Sequence, residues 1–215
     1  MITLYDYLRS PAAYRVRIAL NLKELAYQSE SIHLVKDGGQ QNSKAYQKLN
    51  SAKLVPTMVD GEVTLNQSLA IIEYLDLMYA DSGAKLIPGT IVQQMQIKAL
   101  AYDIACDIHP LNNLRVLKYL AGQLSVGDEQ KSQWYKHWID VGFSALEKKL
   151  QTTADTFCFG NEVSIADLCL VPQVYNANRF EIDLSAYPLI QTVTKNCNEL
   201  PAFIQALPEN QADAL

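Results

Sequence analysis

Arg9, Ser10 and Pro11 form the stretch where residue type and spacing together suggest chemistry. Serine is a favoured N-cap and proline is favoured at the first helical position, so the pair reads as a helix start even with no function attached. The same arrangement also suits an anion. The N–H groups of Ala12 and Ala13 lack partners inside a helix, and the helix dipole adds positive potential. The Ser10 hydroxyl donates towards the same point, and Arg9 stands immediately before it. The end of a first strand is where α/β sheets usually bind ligands.

Other candidates divide between caps and chemistry. Gln67-Ser68 opens a second helical period and reads as another helix start, and the apolar run 53–59 carries Pro56 inside a strand pattern. A strand proline needs an edge, a bulge or a cis bond. Ser164 and Asp167, three residues apart ahead of an apolar run, form a capping-box variant rather than part of a hydrolase site, since no GxSxG elbow accompanies them. Arg15 and Arg17, both on the first helix, read as partners of structural ion pairs. Cys106, Cys158, Cys169 and Cys197 show no CxxC spacing, so no metal site is expected and the four read as buried thiols in a reducing compartment. His33 and His137 have no partner pattern.

Positioning these residues requires two unlike halves. A strand from Ile2, a helix over 11–22 and a strand over 27–34 lead into a polar loop at 37–42. The proline-bearing strand then turns at Asp60-Gly61 into 62–65, ahead of a helix beginning near Leu69. From Ile91 the strand signals stop, and helical periods cover 92–107, 110–121, 128–150 and 168–179. The linker falls in 81–90, where Ser82-Gly83 and Pro88-Gly89 occur. The expectation is an α/β domain over 1–81 and an all-α domain over 90–215.

Composition narrows the function class. With 49% hydrophobic and 19% charged residues the chain is globular, and a net charge of −5 without a basic cluster argues against a nucleic-acid partner. No apolar run reaches the roughly 18 residues of a membrane span, and the N-terminus lacks a secretory pattern, so a cytoplasmic location is expected.

Several long motifs in one order then carry a resemblance over nearly the whole chain: YLRSPAAYRVRIAL, KDGGQQ, LVPT, NQSLAIIEYL, IHPLNNLRVL and VSIADLCLVPQVYNANRF. Together they resemble the zeta-class glutathione transferases. The resemblance implies a thioredoxin-like first domain, a helical second domain, a homodimer, and glutathione as cofactor. It further implies cis–trans isomerisation of 4-maleylacetoacetate to 4-fumarylacetoacetate in tyrosine and phenylalanine breakdown. Maleylpyruvate, or conjugation of α-halo acids, are the alternatives, and a binding protein that has lost its site is a fourth.

By the same resemblance Ser10 stabilises the cofactor's thiolate with Ala12 beside it. Gln41, Val55, Gln67 and Ser68 hold glutathione, with Val55 pairing its main chain against the cofactor. His109, Asn113 and Arg115 reach cofactor or substrate from the helical half. Arg9, Arg115 and Arg179 are the candidates for a substrate with two carboxylates, and Arg9 joins Ser10 at the reacting centre. One departure sits at the site itself: the family's usual Ser-Ser-Cys helix start is Ser10-Pro11-Ala12 here.

Overall fold

The computed structural model describes residues 1–214. The chain divides into two compact units, Met1–Ile87 with Asn198–Leu215, and Pro88–Cys197.

In the first unit, strand β1 (Ile2–Asp6) buries Ile2, Leu4 and Asp6 on alternate positions, as the period of a strand dictates. It leads to α1 (Pro11–Leu22), β2 (Tyr27–Ser31), the short helix α2 (Lys44–Leu49), β3 (Thr57–Asp60), β4 (Val63–Asn66) and α3 (Ser68–Met78). The sheet order is β2-β1-β3-β4, with β2 parallel and β3 antiparallel to β1. This is the expected α/β half with one addition, α2, which lay hidden in a polar stretch.

Register brings the key loops to one end of the sheet. Tyr5 pairs with Thr57 and Thr57 with Asn66, while Asp6 pairs with Ser31. The segments after β1, after β2, before β3 and after β4 therefore emerge along a single edge.

Residues 198–214 correct the expected boundary, which assigned them to the helical half. They carry α9 (Pro201–Ala206) back against α1. Arg17 Nε donates to Ala206 O at 3.1 Å, and Asn21 Nδ2 to Ala202 O at 2.9 Å.

The second unit is helical apart from one isolated bridge between Ala154 and Gly160 among the described residues. It comprises α4 (Ile91–Tyr102), α5 (Leu114–Gly122), α6 (Asp128–Thr153), α7 (Ile165–Arg179) and α8 (Pro188–Asn198). Between α4 and α5 the chain widens into a π-helical segment, Asp103–Ile108, and tightens into a single turn, His109–Asn112. Helix α6 buries Tyr135, Ile139, Phe143, Leu146 and Leu150 at helical spacing, the apolar stripe that packs it into the unit. At Gly142 on α6 the backbone approaches Ile108 closely, and a Cβ there would require the Ile108 side chain to shift. Asp167 accepts from the N–H and Oγ of Ser164 at 2.9 and 3.0 Å and from Cys158 N at 2.8 Å, so the Ser164/Asp167 pair caps α7 as its spacing suggested. Three thiols are buried, but Cys106, within the π-helical segment, is exposed, contrary to its expected burial. No described helix is long and apolar enough to cross a membrane.

Candidate functional site

The turn between β1 and α1 is held from below by Arg17. Its side chain is fully buried and donates through Nη1 to Asp6 Oδ2 at 2.9 Å and through Nη2 to Leu8 O at 3.0 Å. Burial pushes the Asp6 carboxyl above its ordinary value, and the Arg17 guanidinium pulls it down. This ion pair is the structural role expected of Arg17. Tyr14 is buried in α1 with the Arg17 guanidinium 5.3 Å from its ring centre, a packing position rather than a place for an activating hydroxyl.

Ser10 caps α1. It is 8% exposed, and its Oγ accepts from Ala13 N at 3.3 Å. That bond changes the expected anion site. Ala13 N–H is spent on the cap, Tyr14 N–H bonds to Ser10 O at 2.9 Å, and Pro11 has no N–H. Ala12 keeps an N–H in the first turn without an acceptor among the described residues. Because Ser10 Oγ accepts from the helix, its own hydrogen remains to be donated elsewhere.

Along the same sheet edge, the Val55–Pro56 bond is cis, one of the three ways the strand proline could be accommodated. The turn is braced by Tyr46, whose hydroxyl donates to Leu54 O at 2.7 Å and lies 3.0 Å from Thr57 Oγ1. Asn50 Nδ2 adds bonds to Leu54 O and Thr57 Oγ1 at 2.9 and 3.1 Å. Val55 itself has main-chain N–H and C=O groups with no partner among the described residues. Gln41 sits in the loop after β2 with Nε2 donating to Leu34 O at 3.3 Å and a buried Oε1 lacking a partner among the described residues.

Gln67 and Ser68 follow β4. Gln67 holds φ 70° and ψ 111°, a sparsely populated conformation for a residue with a Cβ. No side chain caps α3, and its first turn contains no acid. Ser68 is buried, and its Oγ accepts from Arg15 Nη1 at 3.3 Å. Here the expectation for Arg15 fails: it makes no ion pair among the described residues, because α1 contains no acid and Asp6 is taken by Arg17. The missing acid within α1 was the one sequence signal that Arg15 needed a different explanation.

Arg9 is exposed and has no ion pair among the described residues. In the second unit, Asn113 caps α5, its Oδ1 accepting from Arg115 N at 3.1 Å. The preceding turn, which begins at His109, is fastened to α6 by Trp134 Nε1 donating to Leu111 O at 2.9 Å and Asn112 Nδ2 to Tyr135 O at 3.2 Å. Arg115 is exposed. Arg179, in the last turn of α7, is exposed and donates to Asn176 Oδ1 at 3.3 Å, with no ion pair to Glu181 or Asp183. Tyr135 stacks on Phe180 with ring centres 3.9 Å apart; burial raises its hydroxyl pKa and nearby Arg179 opposes that. Within the first unit the sheet edge thus gathers Ser10, Ala12, Gln41, Val55, Gln67 and Ser68, and within the second Arg115 and Arg179 are presented by separate helices.

Residues 4–83 match the family model for the glutathione S-transferase N-terminal domain, and residues 127–201 that for the glutathione S-transferase C-terminal domain. A Vibrio cholerae protein named probable maleylacetoacetate isomerase is 55% identical over 213 residues, covering 99% of this chain and 98% of that one. Among solved structures, a holo maleyl pyruvate isomerase described as a bacterial zeta-class glutathione S-transferase has a TM-score of 0.93 at 39% identity, covering 98% of this chain and 99% of that one. A Methylobacterium extorquens AM1 maleylacetoacetate isomerase with bound malonate and GSH has a TM-score of 0.93 at 34% identity, covering 98% of each chain.

Proposed function

The chain belongs to the glutathione S-transferase family, and from that premise we propose that it is a glutathione-dependent isomerase converting 4-maleylacetoacetate to 4-fumarylacetoacetate. The observation that carries the reading is the set of unmet groups along one sheet edge. A hydroxyl donor and a free amide at α1, an open main-chain pair at Val55 and an uncapped α3 match a thiol, a peptide backbone and a carboxylate in one ligand. Glutathione carries all three, and the buried, unpartnered Gln41 Oε1 offers its amides a further acceptor.

Bound glutathione supplies a sulfur that adds reversibly to the cis double bond, permits rotation and leaves unchanged. The protein keeps that sulfur ionised. Ser10 Oγ–H and Ala12 N–H donate to it at the positive end of α1, which lowers a thiol pKa from its usual value of about 8.5. Val55 pairs its N–H and C=O with the cysteinyl main chain in antiparallel fashion. Gln67 and Ser68 receive the γ-glutamyl carboxylate at the start of α3. His109 and Asn113 supply hydrogen bonds from the helical unit. Arg9, Arg115 and Arg179 take the substrate's two carboxylates, since a guanidinium meets a carboxylate through two parallel bonds.

Maleylpyruvate is the second reading, favoured by the likeness to a solved enzyme acting under that name. The test follows loss of the maleyl chromophore at sub-stoichiometric glutathione, with both maleyl acids compared. Many turnovers per glutathione are expected, faster on maleylacetoacetate. Arrest after one equivalent identifies a conjugating transferase instead, and inactivity on both acids ends the isomerase reading.

The working form is a homodimer in the cytoplasm. Each unit exposes apolar side chains beside the 81–90 linker, Leu77 and Met78 in one and Ile91, Val92 and Met95 in the other, and four free thiols suit a reducing compartment. Light scattering on the purified chain tests the assembly, and a monomeric mass rejects it.

A further inference from the structure

Arg15 is a buried cation of the first unit with no counter-ion among the described residues, whereas buried Lys23 has Asp76 at 3.8 Å. Arg15 is 1% exposed, yet Nε and Nη2 have no acceptor among the described residues, and Nη1 reaches only Ser68 Oγ. Two residues along the same helix, Arg17 satisfies all three of its nitrogens. A buried charge without a counter-ion is costly, so the arrangement implies an anion that joins it.

The position of that anion follows from hydrogen-bond direction. A guanidinium only donates, so Ser68 Oγ must accept from Arg15 and point its own hydrogen away from it. Ser68 opens α3, an 11-residue helix whose first-turn N–H groups on Ser68, Leu69 and Ala70 have no side-chain cap and no acid beside them. A polarised hydroxyl, three free amides and a buried positive charge therefore belong to one place.

We propose that Arg15 is the positioning residue for the γ-glutamyl α-carboxylate of glutathione. Nη1 fixes Ser68 Oγ in the rotamer that donates to the carboxylate and strengthens that bond by polarising the hydroxyl, while the buried charge supplies the long-range attraction. The inference rests on the glutathione reading above and adds a residue to it. It also makes the ligand-free site carry an unpaired charge, so affinity is gained at the expense of stability in the free protein.

The test uses two ligands and the intact chain. Glutathione is compared by calorimetry with 4-aminobutyryl-cysteinylglycine, which is glutathione without the γ-glutamyl α-carboxylate. Arg15→Met should weaken glutathione at least about tenfold and the analogue less than about twofold. Arg15→Lys, which keeps the charge, should recover most of the loss. The ligand-free melting temperature of Arg15→Met should be unchanged or higher, whereas a merely structural arginine would lower it. Equal losses on both ligands overturn the proposal, as does a folded Lys variant no better than Met. If neither Arg15→Met nor Arg15→Gln folds, Arg15 serves the fold and the proposal fails. Wild-type protein that binds neither ligand overturns the glutathione reading itself, a different outcome from wild-type binding with indifferent variants.

Discussion

The two units present their candidate residues in different ways. In the first, the groups are buried or belong to the main chain: Ser10 and Ser68 are nearly inaccessible, Val55 offers its backbone, and Arg15 and Arg17 lie beneath them. In the second, Arg115 and Arg179 are exposed side chains on separate helices, and neither is part of a buried network. A constellation fixed by backbone and core cannot drift without loss of the fold, which suits an invariant cofactor. Exposed arginines can be exchanged without structural penalty, which suits a substrate that varies among relatives of one fold.

The contrast breaks most visibly if Arg17 is removed. Arg17→Met leaves Asp6 buried with no partner for its charge beyond a long contact to Ser29 at 3.4 Å. A stability loss of about 3–5 kcal/mol in urea unfolding is expected, against less than about 0.5 kcal/mol for Arg179→Ala. The pH dependence has a definite sign. Burial already raises the folded-state Asp6 pKa above its unfolded 3.8, and loss of Arg17 raises it further. A raised folded-state pKa means the folded state holds the proton more tightly, so the deficit of Arg17→Met should be smallest near pH 4 and grow as pH rises to 7. A deficit independent of pH would assign Arg17 a packing role only.

Ser10→Ala tests the buried half at the chemistry. Turnover should fall at least about tenfold, the scale of losing one preorganised donor, with glutathione affinity changed far less. Unchanged turnover would pass the sulfur to Ala12 N–H. The exposed half comes next. Arg179→Ala should raise the substrate KM by about tenfold, consistent with loss of one carboxylate partner, and leave glutathione affinity as it was. Arg115→Ala sharpens the comparison, because the residue was expected at both ligands. A changed KM alone places it with the substrate, and weakened glutathione binding places it with the cofactor.

These differences were unequally legible in the sequence. Two helix starts were readable because capping is local: Ser10-Pro11 and Ser164 with Asp167 each open the helix their spacing announced, whereas Gln67-Ser68 opens α3 without a side-chain cap. Pro56 by its place in a strand pattern was a constraint with three solutions, and only the resemblance singled out the cis bond that the structure holds, beside the bonds of Tyr46 and Asn50 to Leu54 O. Arg15 and Arg17 were indistinguishable. Both lie on one helix without an acid, and only the approach of β1 and α9 decides which meets Asp6 and which is left with Ser68. The return of 198–214 to the first unit was equally hidden, because α9 has a helical pattern like any in the second unit.

Asn113 gives the smallest effect and the finest test of the division. The resemblance places it at the ligand, while its Oδ1 already accepts from Arg115 N as the cap of α5. Its amide nitrogen keeps both hydrogens to serve a ligand. Asn113→Ala removes both functions, at a stability cost of about 1 kcal/mol for the cap. Asn113→Asp keeps a capping oxygen at a helix N-terminus, where its charge is welcome, and removes the donor. If Asn113 acts only as a cap, the Asp variant should match wild type in both melting temperature and glutathione affinity. If its nitrogen reaches the ligand, the Asp variant should melt normally and bind glutathione more weakly, which would make Asn113 a polar contact that the second unit fixes as firmly as the first unit fixes Ser10.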